Sequence, residues 1–330
     1  MKHGADIYRY SKKIKCKEDE IIDFSSNINF YTPQTNIKLT PELLAKYPDS
    51  RYKKLKKAIS KNHHIKRSQI KLYNGATTAI FELIKSLKQK RIYLYAPLYG
   101  EYEKAAKNKQ IIKINRFDNL YKKVKPNSIV VFVNPSTPDG RYYDLDKLFG
   151  MWSEQNCTII CDESFLEFEN LKSLQTQIKS YKKLYIIQSF SKFYSCAGVR
   201  IGAVFSQKEN IKKLKTPLWN LSAFDVEFLT KKLQNKGFEK RTKKLHKKQK
   251  QQLYNILYSS NLFDKIYKSD TNFILTKSKK SKQIFNHLLK HKILSRKCGS
   301  FDFLSDDYLR FGVKNTNKHN KLKKALDEIS

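Results

Sequence analysis

The 330-residue sequence predicts an α/β protein: a large domain whose mainly parallel sheet is sandwiched by helices, and a second, smaller α+β domain. Three observations predict it. Short apolar runs rich in β-branched and aromatic residues recur through the first two-thirds of the chain, and stretches with a helical period separate them. Near residue 222 the texture then changes to a long Lys-rich segment followed by a few strands and helices.

The apolar runs are RIYLYAP (91–97), QIIKI (110–114), SIVVFV (128–133), CTIICDE (157–163), KLYIIQSF (183–190) and VRIGAVF (199–205). Apolar on both sides of the pleat, they read as parallel strands covered on both faces. Between them, Ala76 to Leu87 carries Ile80, Phe81, Leu83, Ile84 and Leu87 as one stripe. Asp144 to Glu154 places Leu145, Leu148, Phe149 and Trp152 at helical spacing. Beyond Ser222 the expectation is one long helical segment to Tyr258. The runs NLFDKIY and TNFILTKS follow, then a helix (Ser281 to Leu289), KILSRKC, YLRFGV and a closing helix. No repeat or low-complexity linker separates the two parts, so a site between them is expected.

Composition narrows the function. A formal charge of +37 makes nucleic acid or an anionic surface the first candidate partner. Yet only 10 of the 67 basic residues are Arg, the side chain that base and phosphate recognition favours. The lysines fall in scattered pairs such as Lys53-Lys54, Lys122-Lys123 and Lys212-Lys213, as expected of solvated faces. The five cysteines form no CxxC pair or metal-finger spacing, and no metal is expected. With no apolar leader and no run long enough to span a bilayer, the expected compartment is the cytoplasm, with no membrane partner.

The chemistry concentrates in QSFSKFYSCAGVR (188–200). Lys192 follows an apolar strand at its carboxyl end, where open α/β sheets place ligands. A lysine desolvated there can lose its proton and condense with an aldehyde. Asn74-Gly-Ala-Thr-Thr78 opens an amphipathic helix, so Gly75, Ala76 and Thr77 offer backbone N–H groups and a positive dipole end to a phosphate. Ser189 and Arg200 flank Lys192 and can bind the same phosphate. Asp162 ends the strand CTIICDE at the same sheet edge, able to keep a ring nitrogen protonated. In that order these are the parts of a pyridoxal 5'-phosphate site.

These residues carry a likeness. The chain resembles fold-type I pyridoxal phosphate enzymes of the class I/II aminotransferase family, in the branch holding histidinol-phosphate aminotransferase and the threonine-phosphate decarboxylase of cobalamin biosynthesis. Motifs closer to the decarboxylase are HGADIY (3–8), IIDFSSNIN (21–29), KYPDSRYKKLKKAI (46–59), NGATTAIFELI (74–84), APLYGEYE (96–103), DESFLEF (162–168) and ILSRKCGSF (293–301). The implied fold is aspartate-aminotransferase-like, with the smaller domain drawn from both chain ends. Residues 1–40 form an N-terminal arm and part of the small domain, 41–222 the large cofactor-binding domain, and 223–330 a long linking helix and the C-terminal α+β domain.

The resemblance implies roles residue by residue. Lys192 is the Schiff-base lysine and Asp162 the partner of the pyridinium nitrogen. Ala76, Thr77, Ser189 and Arg200 hold the cofactor phosphate, and Tyr99 stacks on the ring. Tyr47 reaches the cofactor of the neighbouring subunit, which implies a homodimer with shared sites. Arg310 grips the substrate α-carboxylate, Arg296 lies near the substrate phosphate, and His3 and Asn27 close over the substrate. Two positions depart from the family. Thr137 replaces the asparagine that bonds the cofactor's phenolic oxygen, and Phe165 stands where the aminotransferase carries tyrosine. The expected reaction is decarboxylation of O-phospho-L-threonine or O-phospho-L-serine to an amino-alcohol phosphate. The alternatives are an aminotransferase of histidinol-phosphate type and, more distantly, a nucleic-acid-binding protein on a degenerate enzyme scaffold.

Overall fold

A computed structural model of the chain describes residues 4, 6–33, 35 and 37–329. Its strands, in chain order, are β1 (Ile22–Asp23), β2 (Ile70–Asn74), β3 (Arg91–Ala96), β4 (Gln110–Asn115), β5 (Ile129–Val133), β6 (Thr158–Asp162), β7 (Leu184–Ser189) and β8 (Ile201–Phe205). They continue with β9 (Lys265–Ile266), β10 (Phe273–Lys277), β11 (Ile293–Leu294), β12 (Arg296–Lys297) and β13 (Tyr308–Gly312). The central sheet has seven strands in the order β2-β8-β7-β6-β5-β3-β4.

The sheet is two-faced, as its apolar runs require. Along β5, Val130 and Phe132 enter one core with Trp152, Leu148 and Phe190, while Ile129, Val131 and Val133 enter another with Ile80, Leu83 and Ile84. Period-two alternation therefore sends successive residues of one strand into two buried layers. A third core joins Tyr10, Ile21 and Phe24 near the start of the chain to Leu253, Ile284, Phe311 and Leu322. There β1 pairs in parallel with β11, and β12-β13-β10-β9 form a separate four-stranded sheet.

Three local differences from the sequence reading have physical reasons. β8 (the run VRIGAVF) is antiparallel to both its neighbours, β2 and β7. The strand β2, IKLYN, interrupted by Lys71 after its first residue, carries too short an apolar run to stand out. The segment Ser222–Tyr258 is two helices, Ala223–Gln234 and Lys236–Ser259, broken at Asn235. Asn235 leaves helical geometry (ψ 92°) and its side chain accepts from the Gly237 N–H at 3.2 Å, so it caps the second helix rather than continuing the first.

The lysine pairs sit as expected. Lys53, Lys54, Lys122, Lys123, Lys212 and Lys213 are all exposed. All five cysteines are free. No helix among the described residues is long and apolar enough to cross a membrane.

Candidate active site

The reversal at β8 builds the site. In register, Asn74 of β2 faces Ile201, and Ser189 of β7 faces Gly202, so β8 begins at the edge where its two neighbours end. The residue just before it, Arg200, is thereby returned to the carboxyl edge of the sheet. The helix Gly75–Ser86 starts at the same edge. A Cβ on Gly202 would stand 2.4 Å from the Ala76 nitrogen, so only glycine lets that helix start so close to the sheet. Gly75 itself has φ +78°, and a Cβ there would lie 2.8 Å from the Arg200 guanidinium. Its N–H donates to the Arg200 carbonyl at 3.0 Å. Ala76, Thr77, Ser189 and Arg200 thus converge on one concave spot, backed by Gly75, with a helix's positive end aimed into it.

That spot opens into a cavity of about 390 Å³, the size of a small-ligand site. Ala76, Thr77, Tyr99, Thr137, Asp162, Ser189, Lys192, Arg200, Asn27, Arg296 and Arg310 all line it. Of the other sequence-predicted residues, Gly75 packs behind Arg200. Tyr47 lies away from this cavity, 75% exposed and stacked on Trp219 with ring centroids 4.2 Å apart. His3 lies outside the described residues.

Lys192 sits in the turn of helix Phe190–Phe193 that directly follows β7. Its Nζ stands 5.0 Å from the centre of the Phe165 ring, and the ring packs edge-on against Phe273. Burial lowers the lysine's pKa, and Arg200 and Arg310 push the same way while Asp162 opposes them. Asp162, the last residue of β6, is buried. Its Oδ1 accepts from the Ser164 N–H at 3.0 Å and its Oδ2 from the Tyr102 hydroxyl at 2.8 Å.

Tyr102 was not legible in the sequence as a site residue. It lies three residues after Tyr99 on the short helix Glu101–Ala105 and looks like any core aromatic of an amphipathic helix. In the fold it is fully buried. Burial and the neighbouring Asp162 raise its pKa, so it stays protonated and donates.

At the opposite wall two arginines face each other. β12 and β13 are antiparallel, with Arg296 directly opposite Arg310. Both are buried, at 2% and 5% exposure, although like charges directly opposed across a strand pair destabilise it. Arg310 donates to the Thr137 hydroxyl at 3.1 Å and the Ser25 carbonyl at 3.2 Å, while its Nε has no partner. Burial pushes its pKa down to about 10. Arg296 donates to Ser300 Oγ at 3.0 Å and lies against the Phe301 ring. Thr137 is anchored from beneath as well, its carbonyl accepting from Arg116, which is ion-paired to the buried Asp139.

The residues present fit pyridoxal phosphate. The glycine-lined helix start with Arg200 and Ser189 suits a phosphate, Asp162 a protonated ring nitrogen, and Lys192 an aldehyde. The buried Arg310 Nε is left over for the carboxylate or phosphate of a substrate.

Comparison with known proteins agrees. The family described as aminotransferase class I and II matches residues 19–329. The adenosylcobalamin biosynthesis bifunctional protein CobDQ of Leptospira interrogans is 30% identical over 99% of this chain, which spans 41% of that protein's length. The threonine-phosphate decarboxylase of Salmonella typhimurium is 22% identical, covering 99% of this chain and 96% of its own. The crystal structure of the histidinol-phosphate aminotransferase from Clostridium acetobutylicum superposes with a TM-score of 0.82 at 28% identity, over 93% of this chain and 98% of that one.

Proposed function

Because the chain belongs to the class I and II aminotransferase family, a family of pyridoxal phosphate-dependent enzymes, we propose that it decarboxylates a phosphorylated hydroxy-amino acid. The substrate is O-phospho-L-threonine or O-phospho-L-serine, and the products are an amino-alcohol phosphate and CO₂. One observation carries the substrate class: Arg296 and Arg310 face each other, buried, across β12 and β13 at the cavity wall. Two desolvated guanidinium forks suit a molecule with two anionic groups, a carboxylate and a phosphate.

Bound pyridoxal phosphate supplies an electron sink for a carbanion at the substrate Cα. The chain's own residues decide which bond yields that carbanion, by holding one Cα bond perpendicular to the cofactor ring. In the proposed reaction that bond is Cα–COO⁻, and Lys192 delivers the proton that replaces the lost carboxylate. Phe165 supports this choice, since an apolar ring beside Lys192 stands where the aminotransferase carries a phenol.

The runner-up is a histidinol-phosphate type aminotransferase, favoured by the 28% identity to the Clostridium enzyme. There Lys192 would take a proton from Cα. Incubation with phosphothreonine or phosphoserine, with and without 2-oxoglutarate, separates the two. Release of CO₂ that needs no keto acid is expected; glutamate formation without CO₂ would sink the decarboxylase.

The same reading places the enzyme in the cytoplasm as a homodimer. Tyr47, Leu44 and Leu218 are exposed apolar residues that do not line their own cavity, and Tyr47 would complete the phosphate site of a second copy. Sedimentation should give twice the chain mass. A monomer with full activity would exclude the shared site.

A further inference from the structure

We propose that the smaller domain carries a divalent metal site, zinc by its donor set, formed by His287, His291 and Glu328. His287 lies in the last turn of the helix Ser281–Lys290, and His291 caps that helix. At i and i+4 the two imidazoles share one face, with ring centroids 4.6 Å apart. Glu328 caps the closing helix Thr316–Asp327 and brings its carboxylate to 3.1 Å from His291 Nε2.

One ligand atom from each of the three residues lies within 4.8 Å of the others. A tetrahedral ion with bonds of about 2.0–2.1 Å needs donors roughly 3.4 Å apart, so modest rotation of these side chains closes the set. Two imidazoles and one carboxylate, with a fourth position open to water, is a zinc donor set.

Two independent observations point to a cation here. The Nε2 of His287 is buried and has no hydrogen-bond partner, although buried side-chain nitrogens ordinarily find one. The site also lies where two helices end, His291 at the carboxyl end of one and Glu328 at that of the other, and both negative dipole ends favour positive charge. That offsets the strongly basic surface locally. The adjacent Lys292 is itself paired with Glu20. None of the three ligands lines the cavity of the active site.

The test is calorimetric titration of chelator-treated holoenzyme with zinc chloride, with thermal melting alongside. Saturable binding of one ion per chain is expected, with a Tm that rises with zinc. His287→Ala and Glu328→Gln should each weaken binding by at least about tenfold and abolish the Tm rise, with decarboxylase or aminotransferase activity unchanged. Glu328 is exposed, so its substitution tests the site without disturbing the core. Cobalt(II) in place of zinc should give a tetrahedral visible spectrum with no thiolate charge-transfer band. Absence of saturable binding would leave only a His291–Glu328 ion pair and overturn the proposal. Binding that survives both substitutions would overturn it equally, by placing the ion elsewhere.

Discussion

Lys192→Ala is expected to take up no cofactor colour and to lose turnover by at least about 10⁴-fold, while keeping its fold. The first part follows from position. Lys192 is the lysine that the strand β7 delivers to the cavity, on the edge where the helix Gly75–Ser86 begins and where Arg200 and Asp162 also lie. Its amine has no hydrogen-bond partner among the described residues, and burial lowers its pKa. A buried amine whose charged form is disfavoured, facing a ligand cavity, is poised to act as a nucleophile. The second part follows from the same facts: a desolvated amine held by no hydrogen bond, its charge disfavoured by burial and by Arg200 and Arg310, adds little to stability, so its removal should leave the melting temperature unchanged or raised. Lys192→Arg is the control, since it keeps a positive charge and cannot condense with an aldehyde; it should be as inactive as the alanine variant. Visible absorbance and circular dichroism check both. A coloured, active Lys192→Ala protein would refute the whole reading of the site.

Why this lysine was legible among 57 is a matter of locality. Lys192, Ser189 and Asp162 each follow directly from an apolar run, and in a parallel sheet every such run delivers its last residue to one edge. Knowing the strand is enough to place the residue. The two cores on either side of β5 were legible for the same reason, because alternation along a single strand already assigns each side chain to a layer.

What was not legible depends on pairings distant in sequence. Arg200 reaches the carboxyl edge because β8 runs antiparallel, and nothing in VRIGAVF distinguishes that direction from the other. The opposition of Arg296 and Arg310 is a register between two strands joined by an irregular loop, and shifting it by one residue would turn one arginine to the other face. Tyr102 needs the packing of its helix on the sheet before its hydroxyl finds Asp162. The helix break at Asn235 was the reverse case. Its signal was local, an Asn two residues before a Gly, but it was outweighed by the charged helical texture on both sides.

The register of the arginines has a large expected consequence. Arg310→Leu should lower kcat/KM for the phosphorylated amino acid by about 10²–10³-fold, and should leave the ligand-free protein as stable as the wild type or more so. In the free protein the Arg310 charge is held by neutral acceptors only, the Thr137 hydroxyl and the Ser25 carbonyl, with the Phe273 ring 4.6 Å away. It faces a second buried arginine and meets no carboxylate within ion-pair distance among the described residues. The drop of its pKa to about 10 corresponds to a penalty on the charged form of roughly 3 kcal/mol. Leucine removes that penalty and suits a strand whose neighbours Leu309 and Phe311 are buried. What it cannot replace is a bidentate bond to an anion, at about 1.5–3 kcal/mol for each charged hydrogen bond. Arg310→Lys keeps the charge without the fork and should fall between the two in kcat/KM. Denaturant unfolding and steady-state kinetics on the same preparations decide the matter. If the leucine variant unfolds several kcal/mol more easily yet turns over normally, Arg310 is a structural residue and the anion it waits for is not the substrate.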